Sequence, residues 1–334
     1  MENIEVFRSS GDRRIYALPV EAFPGFVVNL YLIESGDHLL MVDCGSGTDE
    51  CQRQIEARFD QLRTQFDRPI QISDVTTILI THGHIDHFGG LRWAKEATGA
   101  PAAVHILDRR VLSNYEERVV VASKAVEAFL ERAGVDPEPR SGLMSMYLFA
   151  KGRYRSTPVE WLLEEGAPAP GGLEVHHVPG HCPGQVCLRV DDILLTADHV
   201  LARITPNQAP EAITQYTGLG HYFSSLEKIS KLDGIRLGLG GHEGPIEDLK
   251  TRIGDIRSLH LSRLDKVMEI CQTPQSLTEI SLELFGPRKS YHVLLALIET
   301  GAHVEYLYQR GELCASNLEE IEKTSNPVIK YLRC

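Results

Sequence analysis

No stretch of this chain approaches the roughly 18 uncharged apolar residues that a bilayer-crossing helix requires, so no membrane partner is expected. The opening run, Met-Glu-Asn-Ile-Glu-Val-Phe-Arg, lacks the basic start and long apolar region of an export signal, and the expectation is a soluble, cytoplasmic protein. Cysteine is sparse. The seven, at positions 44, 51, 182, 187, 271, 314 and 334, are odd in number and scattered, which argues against a disulfide framework and for a reducing compartment. Positive charge is in deficit: Lys and Arg number 34 against 46 Asp and Glu, a net charge of −12, so nucleic acid is not expected as the main partner. No segment repeats at a fixed period and none is low in complexity. Apolar residues make up 43% of the 334, enough for an ordinary core, and the length suggests two domains.

The most informative segment present is Thr81-His82-Gly83-His84-Ile85-Asp86-His87-Phe88-Gly89-Gly90, three imidazoles and a carboxylate within six positions, directly after the apolar run Val75, Ile78, Leu79, Ile80. The run reads as a buried strand. That places His82, His84, Asp86 and His87 on the turn leaving its C-terminal end, where open α/β sheets carry their chemistry. Neutral imidazole and carboxylate suit zinc or iron, and two-residue spacing in an irregular loop lets the ligands converge on one point. Four such groups together weigh against a polar turn of surface histidines. Three further segments supply what the cluster lacks: His181 in Val-Pro-Gly-His-Cys-Pro-Gly-Gln, Asp198 in Leu-Leu-Thr-Ala-Asp-His, and His242 in Leu-Gly-Gly-His-Glu-Gly. Each follows a short apolar run (173–178, 193–195, 235–239), so each sits at a strand end or turn.

On these residues the sequence resembles the metallo-β-lactamase-fold hydrolase superfamily, over roughly residues 15 to 245, with Val42-Asp43-Cys44-Gly45 as the first recurrent element and the histidine cluster as the second. The resemblance is specific for the fold and not for the substrate. It implies an α/β, four-layer αβ/βα sandwich with two metals at one edge: His82, His84 and His181 on the first, Asp86, His87 and His242 on the second, and Asp198 bridging. Asp43 is then expected behind the ligands, holding them or their loop by hydrogen bonds. Zinc is the first expectation, with iron or manganese as alternatives. Two divalent ions carry four positive charges, and Asp86, Asp198 and a bridging hydroxide offset three, leaving about plus one, which draws carbonyl oxygens or anions. Bound water has its pKa lowered from about 15.7 towards about 7, so the expected reaction is hydrolysis by a metal-bridging hydroxide, with Asp86 orienting it or shuttling its proton.

Departures from related patterns narrow the field. Redox diiron flavoproteins of this fold typically have Glu where this chain has His84, and the β-lactamases with a cysteine ligand have it where Asp198 stands. Cys182, next to His181, is expected to point elsewhere. Quorum-quenching lactonases often carry Tyr three residues after the bridging Asp, where this chain has Leu201. The long loop from Asp198 to His221 looks like that of thioester-cleaving, glyoxalase II-like members, and His199, Arg203 and Tyr222 are candidate substrate contacts. The favoured expectation is a dinuclear thioesterase for acyl coenzyme A or glutathione-type esters. Lactone or other ester hydrolysis is second, and a non-hydrolytic metal-binding regulator or sulfur dioxygenase third.

Segments 14–20, 26–34 and 38–42 read as antiparallel strands, the last two joined at Ser35-Gly36-Asp37. Ile55, Phe59, Leu62 and Phe66 give an amphipathic helix, and 91–98 a second, stopping at Gly99. Residues 108–165 read as a helical insertion or cap, with Arg109, Arg110, Lys151, Arg153 and Arg155 as candidate phosphate contacts for coenzyme A. The catalytic domain is expected to span 1–245. A smaller winged-helix-like domain, 246–334, follows, with a Ser276/Glu279 capping box, a helix over 291–300 ended by Gly301, and a wing at 304–312. Its third helix is nearly devoid of basic residues, so packing or substrate closure is expected of it rather than DNA reading. A homodimer is open to such a chain.

Overall fold

Strands β1 (Glu5–Arg8), β2 (Arg14–Phe23), β3 (Phe26–Ser35) and β4 (His38–Val42) form an antiparallel meander. Residues 16–20 of β2 and 28–33 of β3 are buried without interruption, because both faces of this sheet are covered. The consequence in sequence is a near-continuous apolar run rather than alternation. Helix α1 (Asp49–Gln65) covers one face: Thr48 caps it by accepting from the Cys51 N–H, Ile55, Phe59 and Leu62 point inward, and Arg58 donates to the Pro19 carbonyl of β2. Parallel strands β5 (Thr77–Leu79), β6 (Ala102–Val104) and β7 (Trp161–Leu162) complete seven strands in sequence order. They enclose the short helices α2 (Ile85–Phe88), α3 (Leu91–Thr98, ended by Gly99 at φ 70°) and α4 (Ile106–Ser113).

The computed structural model describes residues 3–66 and 69–334. A second sheet, in the order β11 (Leu237–Gly240), β10 (Ile193–Ala197), β9 (Val186–Val190), β8 (Glu174–His177), faces the first. Ile15, Ile33, Leu40, Val42 and Leu79 of the first sheet and Val175, Val186, Leu188, Leu195 and Leu239 of the second share one core. This is the expected αβ/βα sandwich. Both sheets lie in one compact unit, residues 1–115, 155–206 and 227–253.

The second unit gathers 116–154, 207–226 and 254–334 and is mainly helical. Its elements draw on α5 (Tyr115–Arg132), α6 (Pro137–Lys151), α7 (Leu219–Ser230), α8 (Leu249–Ile270), α9 (Leu277–Phe285), α10 (Tyr291–Gln309) and α11 (Leu318–Lys323). Strands β12 (Gln275–Ser276), β13 (Leu313–Ala315) and β14 (Lys330–Arg333) make a small sheet in the order β12-β14-β13. The division is therefore not a single cut near residue 246. The core of the helical insertion, 116–154, groups with the C-terminal helices, while Trp161 and Leu162 return to the first sheet.

The Ser276/Glu279 capping box forms as expected. Three expectations fail. α10 does not stop at Gly301 but runs on to Gln309, because that glycine serves packing: a Cβ there would sit 2.8 Å from the Phe129 ring. Residues 304–308 are consequently helix, not a wing strand. Cys314 and Cys334, among the scattered cysteines that argue against a disulfide framework, form a disulfide, brought together by the pairing of β13 with β14.

Within this unit α8 and α10 bury a polar network. His303 Nδ1 donates to the Glu299 carbonyl (2.8 Å), His260 Nδ1 lies 3.2 Å from His303 Nε2, and Arg263 donates to Glu299 Oε1 (2.8 Å). Glu299 Oε2 accepts from the Gln208 N–H (2.6 Å). Burial pushes His260 down to about 2 and His303 to about 4, and raises Glu299 to about 7.

Candidate metal centre

Five turns, each following the C-terminal end of a strand of the first unit, deliver the polar side chains of one cluster. Asp43 follows β4, His82 to His87 follow β5, and His181, Asp198 and His242 follow β8, β10 and β11. The placement follows from topology, since strand ends at one edge of the sandwich open on the same crevice. His82 Nε2 lies 3.2 Å from His84 Nδ1 and 3.9 Å from Asp198 Oδ2, and His181 Nε2 lies 3.7 Å from that same oxygen. His87 Nε2 is 3.3 Å from Asp198 Oδ1 and 3.6 Å from Asp86 Oδ2. His242 Nε2 is 3.4 Å from both Asp86 Oδ2 and Asp198 Oδ2.

These separations bracket about 3.3 Å, the edge of a tetrahedron with ligands about 2.0–2.1 Å from its centre. Neither His87 Nε2 nor Asp198 Oδ1, both buried, meets a well-directed hydrogen-bond partner among the described residues. Buried polar atoms in that condition are costly unless something else satisfies them, and a cation does so for a carboxylate and an imidazole lone pair at once. The donor set thus fits divalent metal ions.

Asp43 explains how the imidazoles are aimed. Its Oδ2 takes a hydrogen bond from His87 Nδ1 (2.7 Å) and another from Thr81 Oγ1 (2.8 Å), while Oδ1 accepts from the Thr81 N–H (2.8 Å). With its proton committed to Asp43, Thr81 Oγ1 accepts from His82 Nδ1 (3.0 Å), so one carboxylate fixes two tautomers and turns both Nε2 atoms inward. His242 is fixed likewise by donating from Nδ1 to the Val27 carbonyl (2.6 Å). Asp43 (φ 60°), Ala197 (φ 46°) and Glu243 (φ 64°) hold left-handed backbone at the turns that carry the cluster. Such conformations in non-glycine residues cost about 1–3 kcal/mol each and concentrate at functional sites. Gly241 is required for space, since any Cβ would collide with the Asp198 carboxylate.

Electrostatically the pocket holds its carboxylates ionised. Burial opposes it, but His87 and His242 hold Asp86 down at about 2, and His242 with His87 holds Asp198 well below the usual carboxylate range. Burial likewise opposes charge on His242 and His87, yet Asp198 and its neighbours lift His242 to about 10 and His87 well above its ordinary value. Burial, then the nearby His87, keeps His82 well below its own. The site favours positive charge beside Asp198. Replacing Asp43 by Asn keeps the shape but leaves one of its three donors facing an amide, and metal affinity is expected to fall about 10–100-fold. Competition with a chelating zinc indicator measures it; unchanged affinity would discount the aiming role.

Cys182 departs from its expectation. It does not point away: Sγ lies 3.3 Å from His84 Nε2, and Cys182 forms with His82, His84 and His181 one group with metal-ligand spacing. The candidate substrate contacts fare unevenly. His199 and Tyr222 are fully buried, Tyr222 with its ring 5.6 Å from that of His260 in the helical unit. Arg203 is the exposed one, its side chain 82% accessible and its guanidinium 3.2 Å from Glu243. Sequence reasoning passed over Thr81 and Gln185, small or neutral residues with no motif signal. Gln185 is fully buried and, with its amide oxygen towards the donors, accepts from the N–H groups of Asp198 (3.1 Å) and His199.

The family model for the metallo-beta-lactamase superfamily matches residues 23–270, and the chain belongs to that superfamily of metallo-hydrolases. It is similar to the probable metallo-hydrolase YqjP of Bacillus subtilis, 23% identical over 84% of this chain and 87% of that one. It also resembles an atrochrysone carboxyl ACP thioesterase of Aspergillus fumigatus, 25% identical over 67% of this chain and 53% of that protein. Among solved structures, metallo-beta-lactamase family protein TTHA1429 from Thermus thermophilus superposes with a TM-score of 0.77 at 26% identity, covering 96% of this chain and 98% of the other. A beta-lactamase domain protein from Burkholderia ambifaria, at 24% identity and TM-score 0.75, covers 99% and 95% and shares the fold. A hydrolase with a metal-binding cluster is what fold and family together define. None of the described helices is long and apolar enough to cross a membrane.

Proposed function

We propose that the protein is a dinuclear metal-dependent thioesterase. In this reading His82, His84 and His181 hold one divalent ion, Asp86, His87 and His242 hold another, and Asp198 serves both. The observation that carries it is the position of Asp198, whose two oxygens lie within 3.9 Å of His82, His181, His87 and His242. Bound there, zinc or a similar ion supplies Lewis acidity and a water whose pKa lies near about 7. The residues do the rest. Asp86, whose side chain is 13% exposed where His82 and His87 are wholly buried, is the group proposed to orient a nucleophile and receive its proton. Phe26, 41% exposed with its ring 4.6 Å from that of His242, offers an acyl group an apolar wall. Glu243 pins the chain after Asp198 by accepting from the Arg203 and Ile204 N–H groups, and leaves the Arg203 side chain reachable by an acidic carrier such as coenzyme A or glutathione.

The thioesterase reading draws support from the ACP thioesterase relative, and the long segment after Asp198 suits it. Its test is a panel of acyl coenzyme A, acyl-glutathione and acyl-homoserine lactone substrates, with thiol release and ring opening measured alongside metal content. Thioesters are expected to be turned over at least about tenfold faster than lactones, a difference of roughly 1.4 kcal/mol in transition-state binding. Preference for lactones would transfer the assignment to ester hydrolysis, and oxygen uptake without hydrolysis would end it.

A further inference from the structure

One buried carboxylate outside the ligand cluster is bonded to two of the loops that supply it. Asp108 lies in the first turn of α4 and is wholly inaccessible to solvent. Its Oδ2 accepts from the Gly83 N–H at 2.8 Å, and its Oδ1 accepts from the Gly184 N–H at 2.9 Å. Gly83 stands between His82 and His84, and Gly184 three positions after His181. The two oxygens of one side chain therefore tie the loop after β5 to the loop after β8, and between them those loops carry the three histidines His82, His84 and His181.

From this geometry we infer that Asp108 is a positioning residue for that histidine triad: a carboxylate strap that sets the distance between the two loops supplying it. The inference rests on the proposed metal centre and deepens it. A carboxylate suits the task because it is acceptor-only, with two oxygens a fixed distance apart, and both groups it must hold are donors. Charge-assisted bonds to backbone N–H groups are shorter and stronger than neutral ones, and inside the protein they are not weakened by water. α4 starts two residues beyond β6, the parallel neighbour of β5, so the strap is anchored in the sheet rather than in a loop.

The glycine at 184 records how close the approach is. A Cβ built there would lie 2.7 Å from the Asp108 carboxyl carbon and 2.7 Å from its backbone nitrogen. Gly184 is not in the left-handed region, so space rather than backbone conformation demands glycine. The other triad, Asp86, His87 and His242, is held differently, through Asp43, the Val27 carbonyl and the bond from the Cys44 N–H to the His87 carbonyl (2.8 Å). Loss of the strap should thus be felt unequally by the two ion positions.

The experiment compares wild type, Asp108→Asn and Gly184→Ala by stepwise zinc titration against a chelating indicator, and by the visible spectrum of the cobalt-substituted proteins. Asn can accept from only one of the two loops, and alanine at 184 displaces the His181 loop without altering any charge. In both variants the ion held by His82, His84 and His181 is expected to bind about 10–100-fold more weakly, while the other keeps its affinity within a factor of about two. The cobalt spectrum should lose the bands of one position first. A merely structural Asp108 would lower the melting temperature of the metal-free protein and leave the ratio of the two affinities unchanged, and that result overturns the strap. Wild type that binds no ion overturns the metal centre itself, whereas two ions in wild type, with the ratio of their affinities unchanged in Asp108→Asn, overturn the strap alone.

Discussion

Replacement of Asp198 by alanine is expected to empty the centre of metal and to reduce hydrolysis by about 10⁴-fold, the scale on which removal of one member of a catalytic unit is felt. The reason is positional. Asp198 carries carboxylate oxygens within 3.9 Å of histidines from both triads, so its loss takes an anionic ligand from each at once. It also leaves His87 and His242 facing only Asp86 across the crevice. Replacement of His242 touches one triad, and a protein retaining close to one equivalent of metal is the expected contrast. Metal stoichiometry of dialysed protein, measured beside turnover, separates the two. An Asp198→Ala protein that keeps two equivalents and wild-type rates would remove the physical basis of the proposed chemistry.

The second large effect concerns stability and acid. His260 and His303 titrate near 6.5 when unfolded but at about 2 and about 4 in the fold, so between those values only the unfolded chain takes up their protons. Stability supplied by burying them neutral is present above about 6.5 and lost as pH falls. Glu299 works the other way: raised from 4.5 to about 7, it binds its proton in the folded state first, which favours folding on acidification over that interval. Two protons on the unfolded side against one on the folded side leave a net of one. Stability is therefore expected to fall by roughly 1.4 kcal/mol per pH unit between about 6.5 and 4.5, and more steeply just below. Urea midpoints across this range, taken as the difference between wild type and His303→Gln, isolate the network from the metal ligands. A pH-independent difference would refute the assignment.

Much of this was legible in sequence, and the gaps have physical causes. Strands 14–20, 26–34 and 38–42 were readable from turn residues and apolar runs, and the capping box from four letters, Ser276 to Glu279. The seven candidate ligands were readable because metal chemistry restricts side-chain type so severely. Asp43 was expected behind them, and the structure adds how it acts, through Thr81, whose hydroxyl carries no distinctive pattern. Gly301 misled because glycine ends helices by backbone freedom and admits neighbours by lacking a side chain, and a sequence does not say which. Cys182 misled because adjacent residues point apart in a strand but need not in the turn it occupies. The grouping of 116–154 with the C-terminal helices depends on contacts far apart in the chain, which local patterns do not encode.

The left-handed turns at Asp43, Ala197 and Glu243 have a bearing on how such a protein can change over time. Glycine at any of them would relax the backbone, yet it would also free the hinge on which a ligand or its support hangs. Durability and alignment pull in opposite directions at these three places, so a lineage that drifts towards greater robustness has to find it elsewhere in the sandwich or lose its grip on the ions.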